Sequence, residues 1–368
     1  MYIRFNDISE LVSAIGGETL KDQEHWLIFL ADKHQDDLDN LVEQLNLIQC
    51  KFFGAVFPGL IHGKRMLYEG ALAIKVSCLG TPIVLPMPSE EEKISNLPSY
   101  NDIPEEGATC LTLVDCLSPQ IDNLLNQLYN RYSKRCSYFG AGAGNHELKA
   151  DACIFGPWGT KIDAALVAII DQPSRSIAKH GWVRHSGPFV ASRTTGNVLH
   201  ELDWEDAETA YRNSLPSKLQ GTPAERFYKD VTPRYPFAVE HPGAEDVVRD
   251  PIALCGSNDV MFLSDIPQGA LMYLVEGTPE NLIEAAREAV EETMSNNTSG
   301  VLVCDCLSRT VALDSQFPAE LRTVYEQVNQ INPGTDVSGI LALGEIASNG
   351  ERPVNFYNKT FGICSFYE

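Results

Sequence analysis

The stretch Leu-Thr-Leu-Val-Asp-Cys-Leu-Ser at residues 111–118 decides the fold of this chain, because its second half occurs again much later in the sequence. The tetrapeptide Asp-Cys-Leu-Ser is repeated at residues 305–308, directly after the apolar run 301–303. Each copy is followed by an amphipathic stretch and then by an apolar, glycine-containing segment, at residues 137–144 and 340–346. This self-similarity predicts an internal duplication whose unit is strand, turn, helix, strand and glycine turn.

A weaker third copy opens the chain. Residues 26–30 are typical of a strand, residues 38–45 carry one apolar helix face, and residues 52–59 form a strand that ends in glycine. Ser118 and Thr278, each followed by proline, are typical of helix starts. Interleaved helices and strands predict an α/β fold, with α+β as the alternative, in which repeated strand–helix–strand units form mixed sheets covered by helices. We expect function to reside where the equivalent strand ends converge.

The chain length indicates two domains. A single hydrophobic core rarely grows beyond about 250–300 residues, and this chain has 368. A proline-rich segment at residues 215–251 follows a stretch with helical character at residues 204–212. We therefore place the boundary just before that helix, which divides the chain into residues 1–203 and 204–368.

Composition excludes several classes of function. The net charge of -22 at pH 7 gives a surface that repels phosphate backbones and anionic lipid. The ten cysteines are scattered without a Cys-x-x-Cys pair, which is typical of reduced thiols. The first residues have no apolar signal core, and no apolar segment has the length that spans a bilayer. We expect a soluble cytoplasmic protein with no nucleic-acid partner and no membrane insertion.

Both tetrapeptides place a thiol where a strand ends and a turn toward a helix begins, the position at which α/β sheets usually bind ligands. In the second copy Arg309 replaces the proline of the first, and its guanidinium offers a planar donor for a carboxylate. Amides at a helix start lower the pKa of a thiol such as Cys306, whereas Asp305 opposes this effect. The alternative is that Cys306 is a packed core thiol and that Arg309 pairs with an acidic neighbour.

A second candidate set follows near the end of the chain. Gly344, Glu345 and residues 357–360 flank a short loop and would meet on adjacent antiparallel strands. The carboxylate of Glu345, the amide of Asn358 and the hydroxyl of Thr360 are the sparse polar groups that orient a small ligand in an apolar pocket. The alternative is that Glu345 only pairs with a basic residue and that Asn358 only completes a turn.

Two further patterns carry weaker signals. The glycines of residues 140–144 lack the full phosphate-binding pattern of a nucleotide site. No two histidines have the i, i+4 spacing of a zinc peptidase, so no metal is expected. A haem needs only one axial donor, for which His180 and His241 are candidates that spacing alone cannot separate.

Several segments, taken in order, resemble the FIST family with its FIST N and FIST C domains, and the resemblance covers nearly the whole chain. In the first half these segments are Gly-Ala-Val-Phe-Pro-Gly at 54–59, Gly-Trp at 181–182, Gly-Pro at 187–188, Ser-Arg-Thr-Thr-Gly-Asn at 192–197 and Glu-Leu-Asp at 201–203. In the second half they are His-Pro at 241–242, Arg249, Gly-Ala at 269–270, Cys306 with Arg309, Gly-Glu-Ile at 344–346 and Asn-Lys-Thr at 358–360.

The resemblance implies a sensory domain that binds small ligands, amino acids among them, and that feeds kinases, chemoreceptors or cyclases. It also implies that some members carry haem and sense nitric oxide. This chain departs from the family pattern at Trp204, where glycine usually follows Glu-Leu-Asp, and at Tyr357, where histidine is expected. No kinase or methyl-accepting segment is attached to these motifs, so the expected partner is a separate signalling protein such as a kinase or cyclase.

The leading hypothesis is an intracellular, non-catalytic sensor that binds an amino-acid or carboxylate-like ligand between its two domains. The predicted ligand-binding residues are Cys306, Arg309, Gly344, Glu345, Asn358, Thr360, Arg193 and Asn197. One alternative is an enzyme with Cys306 as nucleophile, for which Tyr357 removes the obvious base. The other is a haem-based nitric oxide sensor. No catalytic residue, metal or required cofactor is predicted.

Overall fold

The computed structural model describes residues 1–88, 94–241 and 245–368. Three units follow one another along the chain. The first unit contains β1 (Tyr2–Ile3), β2 (Glu24–Ala31), β3 (Phe52–Phe57), β4 (Gly59–His62), β5 (Arg65–Leu67) and β6 (Ala71–Ser77). The second contains β7 (Ile83–Pro86), β8 (Ala108–Asp115), β9 (Cys136–Ala143), β10 (Ile154–Gly156), β11 (Gly159–Lys161) and β12 (Ala164–Ile170).

The third unit is interrupted by a long insertion after its first strand. Its own strands are β13 (Ser174–Lys179), β22 (Thr298–Cys306), β23 (Val337–Ala342), β24 (Glu345–Ser348), β25 (Phe356–Tyr357) and β26 (Phe361–Tyr367). The insertion contributes β14 (Val183–Thr195), β15 (Val198–Leu202), β16 (Glu205–Asp206), β17 (Phe237–Val239), β18 (Val247–Arg249), β19 (Pro251–Cys255), β20 (Asp259–Phe262) and β21 (Leu271–Glu276).

Each unit is built on one pair of parallel strands. These pairs are β2 with β3, β8 with β9, and β22 with β23. A helix connects the two strands of each pair, as parallel pairing requires: α2 (Leu38–Leu47), α3 (Ile121–Tyr132), and α8 (Leu307–Leu313) with α9 (Phe317–Ile331). Both tetrapeptides lie at the end of the first strand of a pair, since Asp115 ends β8 and Cys306 ends β22.

The three six-stranded sheets have an equivalent strand order, which reads β1-β6-β2-β3-β10-β11, β7-β12-β8-β9-β24-β25 and β13-β26-β22-β23-β4-β5. The last two strands of each sheet come from a different unit. The β10–β11 hairpin of the second unit pairs with β3, the β24–β25 hairpin of the third pairs with β9, and the β4–β5 hairpin of the first pairs with β23. The exchange of hairpins is therefore cyclic.

Helices cover the outer faces of the sheets. The remaining helices are α1 (Ile8–Gly16), α4 (Ala207–Ser214), α5 (Ser217–Gln220), α6 (Ala224–Arg226) and α7 (Pro279–Thr293). Separate hydrophobic clusters place α3 on the second sheet, α7 and α9 on the third, and α4 on the sheet of the insertion. One further cluster contains residues of all three six-stranded sheets, among them Phe29, Leu113 and Ile340. The three sheets thus share an apolar interior, and the predicted α/β class with helix-covered mixed sheets is confirmed.

The two halves of the chain are interwoven. The fourth sheet has the order β18-β17-β21-β14-β15-β20-β19, with β16 paired to β15. The boundary predicted between residues 203 and 204 falls between β15 and β16, which are hydrogen-bonded partners. Strands from both sides of that boundary also pair in two of the six-stranded sheets. The boundary stays a prediction about the sequence, and it does not separate two independent sheet systems.

Two local expectations had different outcomes. Thr278 caps α7 as predicted, because its hydroxyl oxygen accepts the backbone N–H of Asn281 at 3.3 Å. The expectation that Ser118 caps α3 is wrong, since α3 begins two residues later, after Gln120 in a left-handed conformation with φ +66. The Ser118 hydroxyl has no hydrogen-bond partner among the described residues. Ser118 instead lines the cavity described below.

The glycines of residues 140–144 lie in and directly after the buried strand β9. A Cβ atom on Gly140 would lie 1.8 Å from the carbonyl oxygen of Thr112 on the neighbouring strand β8. Close approach of two parallel strands accounts for this glycine.

Among the described residues, no helix is long and apolar enough to cross a membrane.

Candidate functional site

A cavity of about 830 Å³ lies between the second unit and the insertion of the third, and we call it the Arg249 cavity. Its lining comprises Cys116, Leu117, Ser118, Pro119, Gln120, Ile121, Asp122, Asn123, Asn126, Leu148, Asn197, Arg249, Ile252, Leu263, Ser264, Asp265 and Phe356. Small-molecule sites typically occupy about 300–1,000 Å³. The first tetrapeptide, together with the start of α3, therefore borders a space of suitable size for a small molecule.

Arg249 supplies the positive charge of the cavity. Its side chain is buried with the residue only 7% exposed, although β18 is the edge strand of the fourth sheet and pairs only with β17. The guanidinium donates from Nε to the Asp265 carbonyl oxygen at 2.9 Å and from Nη1 to the Phe356 carbonyl oxygen at 3.0 Å. Among the described residues, no carboxylate oxygen lies within ion-pair distance of it. Burial lowers the pKa of Arg249 from its usual value, although nearby carboxylates act in the opposite direction.

The start of α3 adds a second feature that favours negative charge. Gln120, the residue before α3, makes no side-chain hydrogen bond to the first turn of this helix, whose backbone N–H groups point out of its N-terminal end. Ser118, which is 8% exposed, lies next to this helix end with its hydroxyl unpaired among the described residues. A hydroxyl, a helix start and a buried guanidinium are together donor groups from which a carboxylate can accept hydrogen bonds.

Two acidic residues also line the Arg249 cavity. Asp122 lies in the first turn of α3, and Asp265 follows β20. Both carboxylates raise the pKa of Arg249, which places them within electrostatic range of its guanidinium. Within the described part of the chain, neither carboxylate forms an ion pair at 4 Å or less. The cavity therefore offers one cation and two anions whose charges are not neutralised by direct contact.

Asn197 and Asn358 are the predicted site residues that the structure brings to this cavity or next to it. Asn197 lines the cavity from the β14–β15 turn, and its Nδ2 donates to the Phe262 carbonyl oxygen at 2.8 Å. Asn358 lies behind the wall, where its Oδ1 accepts the Ser264 hydroxyl at 2.9 Å. Its Nδ2 is buried without a partner among the described residues. Asn358 is thus a buried residue that is hydrogen-bonded to a residue of the cavity lining, Ser264.

Arg193 lies elsewhere on the surface. Its guanidinium donates from Nε to Glu201 at 2.9 Å across the β14–β15 pair, and more than half of its side chain is exposed. The structure does not place this side chain at the Arg249 cavity. Solvent-exposed ion pairs of this kind contribute little to stability.

Arg309 is the centre of a closed polar cluster in the third unit. Its Nη2 donates to Glu320 at 2.7 Å and its Nε donates to both oxygens of the same carboxylate at 3.1 Å. The other N–H groups donate to the carbonyl oxygens of His180 at 2.6 Å, Leu282 at 2.5 Å and Lys359 at 3.5 Å. Arg309 is fully buried, and it does not line the Arg249 cavity. The structure therefore places it in the salt bridge that the sequence left open as the alternative role.

Glu345 is the second member of this interior cluster. Its Oε2 accepts the Thr360 hydroxyl at 2.6 Å and the Thr360 backbone N–H at 3.2 Å, as expected for strands that meet at the loop. Its Oε1 has no partner among the described residues. Burial raises the pKa of Glu345 to about 8, although the bonds from Thr360 and the charge of Arg309 act in the opposite direction. The preceding Gly344 has φ +137, and a Cβ atom there would lie 2.1 Å from the Phe356 ring.

Cys306 is enclosed by the same cluster. The residue is 1% exposed, and its Sγ lies 3.2 Å from the Ser308 hydroxyl. Burial raises the pKa of this thiol well above its usual value, and the Glu345 carboxylate raises it further. Asp305, the preceding residue, also has a strongly raised pKa because of burial and the nearby Glu320 carboxylate. The geometry describes a protonated core thiol, which is a poor nucleophile.

Comparison with protein-family models finds FIST N at residues 25–205 and FIST C at residues 207–348. The chain belongs to the FIST family. FIST domains are associated with sensing in signal transduction. A comparison with curated proteins finds no match. The Arg249 cavity is lined by residues from both FIST ranges, since Cys116 and Asn197 belong to the first and Arg249 and Asp265 to the second.

The FIST motifs have identifiable structural roles. Trp182 donates from Nε1 to the Lys359 carbonyl oxygen at 3.0 Å, which ties the Gly-Trp segment to the Asn-Lys-Thr segment. Trp204 has φ +64, a conformation that favours glycine, and this explains why glycine is usual at that FIST position. Tyr357 is buried on β25. For the His-Pro motif only His241 is described, since Pro242 lies outside the described residues.

Neither candidate histidine fits a FIST haem site. His180 is buried, its Nδ1 accepts the Trp182 backbone N–H at 2.8 Å, and its Nε2 lies 3.5 Å from Glu245. His241 lines a separate cavity of about 320 Å³ whose other lining residues include Lys179, Glu245 and Arg352. A haem requires a free axial nitrogen and a largely apolar pocket. The Nε2 of His180 faces the Glu245 carboxylate, and the cavity at His241 is small and lined by charged side chains.

Sequence reasoning missed the groups that give the Arg249 cavity its chemistry. The sequence identifies Arg249 only as a FIST mark, although a charge directly after the apolar residues Val247 and Val248 is itself a signal of a special role. Ser118 was assigned to helix capping. Asp122 and Asp265 carried no local pattern, because their proximity to Arg249 depends on how the insertion packs against α3.

Proposed function

We propose that this FIST protein is a sensor that binds a small zwitterion of the amino-acid type in the Arg249 cavity, without catalysing a reaction. Arg249, the Ser118 hydroxyl and the start of α3 receive the ligand carboxylate. Asp122 or Asp265 receives the ligand ammonium group. The observation that carries the proposal is a buried guanidinium that has no carboxylate partner among the described residues and borders a cavity with two unpaired carboxylates.

Charge balance favours a zwitterion over a simple anion. The formal charge of the three charged lining residues is negative overall, since one guanidinium faces two carboxylates. An anion without an ammonium group would be repelled by Asp122 and Asp265, and a cation without a carboxylate would be repelled by Arg249. Opposite charges within about 4–6 Å of each other favour the charged forms of both groups.

The FIST assignment supports a wider role in signalling. We propose that ligand occupancy is passed to a separate signalling protein such as a kinase or cyclase, and that the protein acts in the cytoplasm. The ten cysteines support that location, because none of them forms a disulfide in the described structure.

Calorimetric titration with the twenty common amino acids tests the binding proposal, followed by the N-acetyl and C-amide forms of the tightest ligand. The free amino acid should bind, and each blocked form should bind at least tenfold more weakly, since a charge-assisted hydrogen bond contributes about 1.5–3 kcal/mol. Absence of binding for every amino acid, or equal binding of the blocked forms, would refute the proposal.

Two variants assign the charges to residues. Arg249→Met should weaken binding of the free amino acid by about 10- to 100-fold. The double variant Asp122→Asn with Asp265→Asn changes two exposed residues and should weaken binding of the free amino acid while leaving binding of its N-acetyl form unaffected. Arg226→Met is the control, because Arg226 forms only an exposed ion pair with Asp230 on a short helix.

A further inference from the structure

The mouth of the Arg249 cavity carries three exposed apolar side chains. Leu117 is 42% exposed, Leu148 is 40% exposed and Ile252 is 39% exposed, and all three line the cavity. They come from three separate segments: the turn after β8, the loop after β9, and strand β19. Single exposed apolar residues are ordinary on a protein surface, but several around one cavity mark a binding surface.

Leu148 is held in an unfavourable conformation. Its φ is +53, in the left-handed region that costs a non-glycine residue roughly 1–2 kcal/mol. Asn145 fixes the loop, because its Nδ2 donates to the Lys149 carbonyl oxygen at 3.2 Å and to Asp151 at 3.1 Å, and its Oδ1 accepts the Lys149 N–H at 3.0 Å. The loop therefore presents a strained, solvent-exposed leucine in a defined position, which points to a role in binding.

The cavity is also apolar farther in. Ile121, Leu263 and Phe356 line it, and both Ile121 and Phe356 are buried. Its volume of about 830 Å³ leaves room beyond the space that one carboxylate and one ammonium group occupy. A ligand with only these two charged groups would leave the apolar lining in contact with water.

We infer that the zwitterion bound here carries a bulky nonpolar side chain, branched or aromatic, which packs against Leu117, Leu148 and Ile252. The inference rests on the proposed function and specifies its ligand class. Burial of the apolar side chains at the mouth then supplies selectivity over small and charged amino acids, because the gain scales with the apolar area removed from water.

Calorimetric titration with leucine, phenylalanine, alanine and glutamate tests the selectivity in the unmodified protein. Leucine or phenylalanine should bind at least tenfold more tightly than alanine or glutamate. If alanine or glutamate binds as tightly as leucine and phenylalanine do, the side-chain inference is overturned while the zwitterion proposal stands. If none of the twenty amino acids binds, both are overturned.

Leu148→Asn provides the residue-level test, because asparagine tolerates the left-handed conformation and removes the apolar surface. The affinity for the preferred ligand should fall by about three- to tenfold, whereas the weaker affinity for alanine should not change. Leu47→Asn is the matched control, since Leu47 is an exposed leucine at the end of α2 in the first unit. An equal loss for alanine and for the preferred ligand would contradict a contact with the side chain.

Discussion

Replacing the buried Glu345 by glutamine should make the protein increasingly more stable than the parent as the pH rises. Glutamine has nearly the shape of the protonated acid and can accept the two hydrogen bonds from Thr360. It cannot acquire the negative charge that burial disfavours. Asp305, Arg309, Cys304 and Cys306 surround the carboxyl group in both proteins, so the difference between the two proteins isolates the titration of Glu345.

The sign and size of the effect follow from the pKa of Glu345. This pKa is raised from 4.5 to about 8 in the fold, so between these values the native state binds more protons than the unfolded state. Stability is therefore fully present at low pH and is lost as the pH rises toward the folded pKa. From about pH 5 to about pH 9 the loss in the parent is roughly 4 kcal/mol, at about 1.36 kcal/mol per pKa unit.

Melting temperatures over that pH range provide the assay. With an unfolding entropy of about 2.1 cal/mol/K per residue, 1 kcal/mol corresponds to about 1.3 °C for this chain. The Tm of Glu345→Gln relative to the parent should thus increase by about 5 °C from about pH 5 to about pH 9. Glu326→Gln, which removes one exposed carboxylate, is the control. A Tm difference between Glu345→Gln and parent that is constant across the range would refute the reasoning.

Two further predictions concern the interior. Arg309→Met should lower the free energy of unfolding, measured by urea titration, by about 3–5 kcal/mol, because the Glu320 carboxylate loses its buried partner. The double variant Arg309→Met with Glu320→Met should recover part of that loss. A double variant no more stable than Arg309→Met alone would contradict this account. Gly140→Ala should abolish folding or lower the melting temperature severely, since the Cβ would overlap the Thr112 carbonyl oxygen. Gly221→Ala has open space around the new Cβ and should leave the melting temperature nearly unchanged.

The parallel strand pairs could be predicted from the sequence because their signals are local. Apolar runs, a turn and an amphipathic helix follow one another directly along the chain in each unit, and parallel pairing requires such a crossover. The exchange of hairpins could not be predicted in this way. Residues 59–67 carry the pattern of a hairpin, but nothing in that pattern says that its partner is β23, whose residues begin at Val337.

The candidate site was predicted less well for a related reason. The sequence left open a salt bridge of Arg309 with an acidic neighbour, and Asp305 at the end of β22 does lie 3.7 Å from the Arg309 Nε. Glu320, which binds Arg309 more closely, comes from the next helix and gives no local sign of this role. Likewise the Arg249 cavity depends on the contact of the insertion with α3, so of its lining residues the sequence assigns only Asn197 to a ligand site, although Arg249 is also a FIST mark.

The cyclic hairpin exchange limits how such a protein can change in evolution. In a linear repeat array a unit contacts only its neighbours, so copies can be gained or lost one at a time. Here every unit completes the sheet of another, and removal of one would leave a second sheet without its outer hairpin and a hairpin without its sheet. Closure into a ring fixes the number of units at three, and new material is tolerated only as an insertion within a unit, as residues 183–276 illustrate.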